Sequence, residues 1–167
     1  VYAVEVGFGQ LAGSLMQDPT IVNLEKTNIG DEKLLSLDPK PDLGSVDLSY
    51  LSLVKAVPQF RAIMHDQGEL MCLVKPLFET DDPQARRTGE IDPDSYAPLL
   101  RSLCDTLDAQ EGTHAVAVTH SPVTGNNGTH EFFLHVRFGS INEKPDLAQA
   151  CQAAVERAVQ LEKYHKR

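Results

Sequence analysis

Short apolar runs that alternate with helix-like stretches constrain the fold of this chain more than any other feature. The strand-like runs cover residues 1–6, 20–24, 43–48, 69–74, 115–119 and 130–138. Helix-like stretches cover residues 7–17, 52–64, 93–109 and 145–164, and residues 80–90 are expected to be a polar loop. This alternation predicts an α/β fold with a parallel sheet. A segment rich in Pro, Gly and Asn at residues 121–128 predicts a hairpin connection between the last two strands.

The composition is typical of a globular domain of ordinary size. The 167 residues are 41% hydrophobic and 23% charged, which is enough apolar material for a real core. No apolar run approaches the ~20 residues that span a bilayer, so we expect no membrane partner. The net charge of −9 argues against a wide polyanion-binding surface on this chain alone. We expect residues 1–140 to form one domain and residues 141–167 to add its closing C-terminal helix.

The N-terminus and the cysteines indicate where the protein is located and whether the sequence is complete. The chain begins with Val1, inside a strand-like run, without an initiator methionine or a signal peptide. We therefore expect a fragment of a longer, cytoplasmic protein. Cys72, Cys104 and Cys151 have no metal-ligand spacing, which favours reduced thiols and no metal site.

A lysine terminates the most apolar strand-like run. Residues 69–74 read as a buried strand that continues directly into Lys75, Pro76 and a turn. A core strand has no packing use for a lysine, whose side chain at the last position points beyond the sheet edge. In open α/β sheets, ligands bind in the crevice beyond the carboxyl ends of the strands. Lys75 is therefore a candidate functional residue.

Two carboxylates occupy comparable places. Asp47 lies at the end of the run 43–48, and Glu131 lies at the mouth of the run 130–138. A lysine with two carboxylates at one sheet edge is a candidate proton-handling site. Singly, each residue has an ordinary explanation: a neighbour of a helix N-cap for Asp47, a solvated strand end for Lys75 and an edge-strand charge for Glu131. Their occurrence together favours a site.

An acidic residue followed by glycines closes the first run. Glu5 precedes Gly7 and Gly9, and this pattern suits a carboxylate that bonds a ribose diol while the backbone stays close to the ligand. On this motif alone, a glycine turn with a solvent-facing glutamate is the better explanation.

Six motifs in order and spacing resemble the TlyA family, also called hemolysin A, of FtsJ-like ribosomal RNA methyltransferases. They are VYAVEVGFGQL at residues 1–11, LEKTN at 24–28, VDLSYLSL at 46–53, LVKPLFE at 73–79, SPVTGNNG at 121–128 and EFFLH at 131–135. The resemblance covers nearly the whole chain. It implies a Rossmann-like class I fold, S-adenosylmethionine as cofactor, and 2′-O-ribose methylation of ribosomal RNA, free or within a ribosomal subunit.

The resemblance also implies the catalytic roles. Asp47, Lys75 and Glu131 match the last three members of a Lys-Asp-Lys-Glu tetrad. Lys75 would stabilise the alkoxide of the target 2′-hydroxyl, and the two carboxylates would orient the lysine and tune its protonation.

The same resemblance implies a cofactor set. Glu5 would bond the cofactor ribose, Thr27 and Asn28 would lie near its adenine, and Asp47 would take part in cofactor binding. The first core strand of the family, its Gly-rich loop, its first tetrad lysine and an S4-type RNA-binding domain would all precede Val1. We therefore expect the fold to lack that strand and loop, and this chain alone to be inactive and to associate in solution. Alternatively, residues 1–6 pair directly with residues 43–48 in a six-stranded sheet.

Two other functions stay open. The first is a non-catalytic Rossmann-like interaction or RNA-associated module that keeps the family sequence, which cofactor binding would distinguish from an enzyme. The second is a different nucleotide-binding α/β protein, disfavoured because the sequence contains no phosphate loop.

Overall fold

The structure, a computed structural model, describes residues 1–125 and 128–162. The chain divides into two compact units. The first is Val1–Lys40, and the second begins at Pro41 and contains the remaining described residues. Each unit has a sheet of its own.

The first unit contains a small parallel sheet and little helix. Strand β1 (Tyr2–Val4) pairs in parallel with β2 (Val22–Leu24). Between them, helix α1 (Gly13–Met16) is a single turn, and a 3-10 helix follows at Glu32–Ser36. The helix predicted over residues 7–17 is therefore wrong except for its last turn.

The loop after β1 has a physical reason not to be helical. Gly9 adopts a left-handed φ of 69°, and glycine loses more conformational entropy in a helix than any other ordinary residue. The carboxylate Oε1 of Glu25 accepts hydrogen bonds from the amides of Gln10 (2.7 Å) and Leu11 (3.1 Å). These amides are satisfied by a distant side chain, so a helix is not needed to pair them.

The sheet of the second unit has four strands in the order β3-β4-β6-β5. They are β3 (Leu43–Val46), β4 (Glu69–Val74), β5 (Thr113–His120) and β6 (Phe132–Phe138). Only β3 and β4 are parallel, because β6 runs antiparallel to both of its neighbours, β4 and β5. The prediction of a parallel sheet is thus wrong for these pairs. The short connection between β5 and β6 explains this, since a hairpin can join only antiparallel strands. Residues 126 and 127 of the predicted turn lie outside the described residues.

Five helices accompany this sheet in the described part of the second unit. They are α2 (Leu53–Ile63), α3 (Pro76–Glu79), α4 (Pro83–Thr88), α5 (Tyr96–Asp108) and α6 (Ala148–Ala158). Helix α4 corrects the predicted polar loop at residues 80–90: Asp82 caps it, Pro83 occupies its first turn and Gly89 ends it at φ 75°. The helix predicted over 145–164 is shorter than expected, and residues 163 and 164 lie outside the described residues.

One face of the four-stranded sheet forms the core. Along β4, Leu70, Cys72 and Val74 are buried, whereas Met71 is 46% exposed, so this strand is buried on one face only. Helices α5 and α6 both contact β5. The buried residues of β6 and of these helices complete the core: Phe132, Leu134, Val136, Phe138, Leu100, Leu103, Leu107, Cys151, Ala154 and Val155.

The pairing of the strands bears on the prediction that the fold lacks a core strand. In the described residues β1 pairs with β2 and β3 pairs with β4, in separate sheets, so the alternative of one six-stranded sheet is wrong. The division into residues 1–140 and 141–167 stays a prediction, as does association in solution. All three cysteines are free and buried. None of the helices within residues 1–125 and 128–162 is long and apolar enough to cross a membrane.

Candidate active site

Lys75 and Asp47 form an ion pair at the carboxyl end of the four-stranded sheet. Lys75 follows the last residue of β4, and Asp47 follows the last residue of the parallel neighbour β3. Lys75 Nζ lies 2.5 Å from Asp47 Oδ1 and donates a hydrogen bond of 3.3 Å to Ser49 Oγ. The Lys75 side chain is 20% exposed and that of Asp47 is 68% exposed. The ammonium group is thus held from one side while the site stays open to solvent.

Glu131 lies at the same edge of the sheet because it directly precedes β6, which runs antiparallel to β4. Strand β6 is antiparallel to β4, and Val74 pairs with Phe132. Lys75 directly follows Val74 and Glu131 directly precedes Phe132, so the two residues flank the last pair of this ladder. Burial raises the pKa of Glu131, the charge of Lys75 opposes this rise, and the charge of Asp47 adds to it. The three predicted catalytic residues consequently act on one another electrostatically.

Gly125 leaves the space that the Glu131 carboxylate occupies. A Cβ added to Gly125 would meet the carboxylate of Glu131, lying 2.7 Å from its Cδ and 2.9 Å from Thr129 Oγ1. The chain around it is held by bonds from Ser121 N to the Glu131 carbonyl (2.9 Å) and from Gly125 N to the Thr129 carbonyl (2.8 Å). Any side chain at position 125 would therefore have to displace the Glu131 carboxylate.

An exposed tyrosine stands on the loop that carries Asp47. Tyr50 has a left-handed φ of 66°, which is unfavourable for a bulky residue, and it is 90% exposed. Its ring packs against Phe78, with centroids 5.1 Å apart. The sequence analysis assigned no role to Tyr50, Ser49 or Gly125. The signal for Tyr50 was an aromatic residue three positions after a candidate catalytic aspartate.

The predicted cofactor residues lie in the first unit, apart from Asp47. Glu5 follows β1, and its Oε1 accepts a hydrogen bond from Gly7 N at 2.7 Å. This contact uses one carboxylate oxygen, so the second oxygen and a further lone pair remain able to accept from a diol. Glu5 therefore fits its predicted part.

The two residues predicted near the adenine differ in their availability. Thr27 is 1% exposed and its hydroxyl donates to the Glu25 carbonyl at 3.1 Å, so its side chain is committed to the loop itself. Asn28 is exposed, and its Oδ1 accepts a hydrogen bond from Gly30 N at 3.0 Å. Its side-chain amide nitrogen stays available as a donor. Asn28 thus fits a polar ligand contact better than Thr27 does. Among the described residues, no group of three or more His, Cys, Asp or Glu could hold a metal ion.

A mixed sheet with helices and a charged edge beyond β3 and β4 is compatible with a Rossmann-like domain. The chain belongs to the FtsJ-like methyltransferase family, whose sequence profile matches residues 1–138. The prediction of this family is therefore confirmed, and so is the fold class.

Individual relatives agree with this family. The chain is 35% identical over 163 residues to a Mycobacterium tuberculosis protein named 16S/23S rRNA (cytidine-2′-O)-methyltransferase TlyA, which covers 95% of this chain and 59% of that protein. It is 33% identical over 139 residues to a Bacillus subtilis protein described as the rRNA methyltransferase YqxC, covering 82% and 49% respectively. A solved structure described as a hemolysin from Streptococcus thermophilus superimposes with a TM-score of 0.84 at 27% identity, covering 96% of this chain and 58% of that one. The chain thus spans about half to three-fifths of the length of these proteins.

Proposed function

We propose that this chain carries the lysine–carboxylate centre of an S-adenosylmethionine-dependent RNA methyltransferase that modifies the 2′-hydroxyl of ribose in ribosomal RNA. The observation that carries the proposal is the 2.5 Å ion pair between Lys75 and Asp47 at the carboxyl end of the sheet. The name of the 35% identical relative specifies a 2′-oxygen of rRNA as its target, which supports the choice of substrate.

Lys75 stabilises developing negative charge. Its ammonium group contacts Asp47 and Ser49, which hold it at the open edge of the sheet. A cation held at a fixed point stabilises the alkoxide that forms as the 2′-hydroxyl loses its proton, and it does so without reorganisation during the reaction. The contacts of Nζ with Asp47 and Ser49 fix this point, so positioning contributes to the rate as well.

The two carboxylates have different environments and therefore different parts. Asp47 is mostly exposed and holds Lys75 by its charge. Glu131 is half-buried, and burial raises its pKa, which makes it a stronger base than an ordinary glutamate. Glu131 is accordingly the better acceptor for the proton that leaves the 2′-hydroxyl, and Asp47 is the better anchor for the lysine.

The first unit supplies cofactor contacts. Glu5 would accept hydrogen bonds from the ribose diol, and Asn28 would donate to a polar acceptor of the adenine. The assignment of Asp47 to cofactor binding stays a separate prediction. When bound, the cofactor supplies an electrophilic methyl group on a sulfonium centre.

The RNA partner is expected to contact the exposed ring of Tyr50. Every nucleobase has a face that stacks on an aromatic ring, and such stacking contributes about 1–3 kcal/mol per base. The net charge of −9 leaves little general attraction for RNA on this chain, so aromatic contacts matter more here than in a basic protein. A ribosomal RNA or ribosomal subunit as partner, and a cytoplasmic location, belong to the same proposal.

The proposal is tested with protein expressed from its complete coding sequence. Methyl-labelled cofactor is supplied with ribosomal RNA or isolated subunits, and the labelled RNA is hydrolysed with alkali. A 2′-O-methyl group blocks cleavage at its own nucleotide, so the label should appear in alkali-resistant dinucleotides. Label on a base, or no transfer to any RNA, would contradict the proposal.

Cofactor binding separates an enzyme from a non-catalytic module. Glu5→Ala should weaken binding of the cofactor by roughly the 1.5–3 kcal/mol typical of hydrogen bonds to charged groups, as measured by calorimetry. Glu32→Ala, at an exposed acidic position of the same unit, is the matched control and should leave binding unchanged. Absence of cofactor binding in the unmodified protein would favour the interaction module.

A further inference from the structure

Glu79 clamps the beginning of helix α2 from another part of the chain. Its Oε2 accepts a hydrogen bond from Ser52 Oγ at 2.7 Å, and its Oε1 accepts one from Leu53 N at 2.8 Å. Ser52 is the N-cap of α2 and accepts in turn from Val54 N at 3.2 Å. Side chains of Ser52 and Glu79 thus satisfy two of the amides that a helix leaves unpaired at its first turn.

The same two segments are joined at their other ends by the candidate catalytic pair. Residues 75–79 begin with Lys75 and end with Glu79, since α3 directly follows the lysine. Residues 47–52 begin with Asp47 and end with Ser52. Lys75 binds Asp47 at one end, Glu79 binds Ser52 at the other, and the rings of Phe78 and Tyr50 meet between them. We call residues 47–52 the aspartate loop.

The aspartate loop needs such an external hold. Tyr50 adopts a left-handed backbone conformation that is unfavourable for a residue with a bulky side chain, so the loop does not take this shape from its own preferences. The ion pair that Asp47 makes is largely exposed, and exposed pairs restrain a loop only weakly. The two short hydrogen bonds of Glu79, one to Ser52 in the loop and one to Leu53 directly after it, therefore hold the end of the loop against the lysine segment.

The surroundings of Glu79 are unusual for a residue that only caps a helix. Burial raises its pKa, and within the described part of the chain no cation lies at ion-pair distance from its carboxylate. Placing a carboxylate out of water is unfavourable unless its bonds compensate. Ser52 alone already provides a standard N-cap, so helix formation does not require Glu79.

We propose that Glu79 is a positioning residue that sets the place of Asp47 and Ser49 relative to Lys75, acting through Ser52 and the amide of Leu53. This inference rests on the proposed function, because it concerns the geometry of the same lysine. The hydrogen bonds of the Glu79 carboxylate go to Ser52 and Leu53 and not to Lys75. It fixes the far end of the aspartate loop, and the near end then presents its oxygen atoms to the ammonium group.

The test reads the lysine directly. The side-chain ammonium signal of Lys75 is observed by nitrogen-15 NMR and assigned by its loss in Lys75→Arg. In Glu79→Ala this signal should move towards that of an exposed lysine, and kcat should fall by about ten- to a hundredfold while KM for the cofactor is unchanged. Glu79→Asp, which keeps the carboxylate one methylene shorter, should restore part of both.

The matched control is Asp92→Ala. Asp92 Oδ1 accepts from Asp94 N at 3.0 Å and so caps the 3-10 helix Pro93–Ser95. This variant should lose a cap without moving the Lys75 signal. If Glu79→Ala does not fold, Glu79→Gln is judged by the same two readouts. An unmoved Lys75 signal in the Glu79 variant, or an equal movement in Asp92→Ala, would overturn the positioning role. Absence of methyl transfer by the unmodified protein would instead refute the proposed function, and the Lys75 signal would still decide the positioning.

Discussion

Replacing Lys75 with methionine should remove most of the activity but lower the stability of the fold only slightly. Methionine keeps an unbranched apolar stem and removes the ammonium group. The variant loses an ion pair in which Asp47 is 68% exposed, and a hydrogen bond of 3.3 Å to Ser49. An exposed pair contributes about 0.2–1 kcal/mol, and a long exposed hydrogen bond lies at the low end of about 0.5–1.5 kcal/mol. The free energy of unfolding should therefore fall by about 1 kcal/mol, or about 2–4 °C in Tm for a protein of this size.

The expected loss of activity is much larger. Removing one fixed donor from an oxyanion typically lowers kcat by about 10²–10³, which corresponds to roughly 2.7–4 kcal/mol. Thermal unfolding and methyl transfer are measured on the same preparation of protein expressed from its complete coding sequence. Turnover within about threefold of the unmodified protein would refute the assignment of Lys75 to alkoxide stabilisation.

A second lysine provides the reverse control. Lys144 pairs with Asp108 at 2.9 Å, and the Asp108 side chain is only 6% exposed. Lys144→Met leaves that carboxylate without its cation in a buried place, so it should lower stability at least as much as Lys75→Met does. Activity should be unaffected. A parallel loss of activity in both variants would mean that charge removal or destabilisation, and not the position of Lys75, explains the result.

Three further predictions concern single residues around the two candidate sites. Gly125→Ala should push the Glu131 carboxylate aside with little loss of stability, because the obstructing atoms end a flexible side chain; activity should fall, and a crystal structure should show the carboxylate displaced. Glu131→Gln should raise the unfolding temperature at neutral pH, because the pKa of the buried carboxyl is raised and its charged form is therefore unfavourable in the folded state. The gain should shrink as pH falls through the folded-state pKa of Glu131 and vanish below the ordinary range of a glutamate, so an equal gain at all pH values would contradict it. Glu25→Ala should increase amide exchange at Gln10 and Leu11 but not in the four-stranded sheet, because both amides bond to its carboxylate; unchanged exchange would show that the loop holds its shape without it.

The sequence predicted β4 and its lysine correctly because local signals mark both ends of that strand. Gly68 precedes Glu69 in a turn, and Pro76 cannot continue the ladder. Helix α2 was predicted to begin at Ser52, and Ser52 is its N-cap in the structure. Where the decisive contacts join residues close in the chain, the pattern was sufficient.

The wrong predictions have different physical causes, and the first depends on a distant residue. Leu11, Leu15 and Met16 have helical spacing, yet Glu25 holds the amides of that segment in a loop. The direction of β6 follows from its hairpin with β5, so the hairpin connection predicted at residues 121–128 was itself a local signal against a fully parallel sheet. The hydrogen bond between Ser52 and Glu79 joins residues 27 positions apart, so no local sequence motif predicts it. The structure brings Asp47 and Lys75 into contact, and the catalytic roles of Asp47, Lys75 and Glu131 stay predictions.

The features around Lys75 are individually unfavourable or nearly neutral for folding. The Lys75–Asp47 pair is too exposed to stabilise the fold much, Glu131 carries a desolvated carboxylate, and Tyr50 has a strained backbone and an exposed ring. A sequence under no demand except folding would replace Glu131 and Tyr50, since small changes at these two positions would be stabilising. Local rules are broken together at functional sites and compensated elsewhere, here by the core behind β4 and β6. The occurrence of Glu131 and Tyr50 beside the Lys75–Asp47 pair is therefore a physical reason, additional to the ion pair, to propose chemistry at this edge of the sheet.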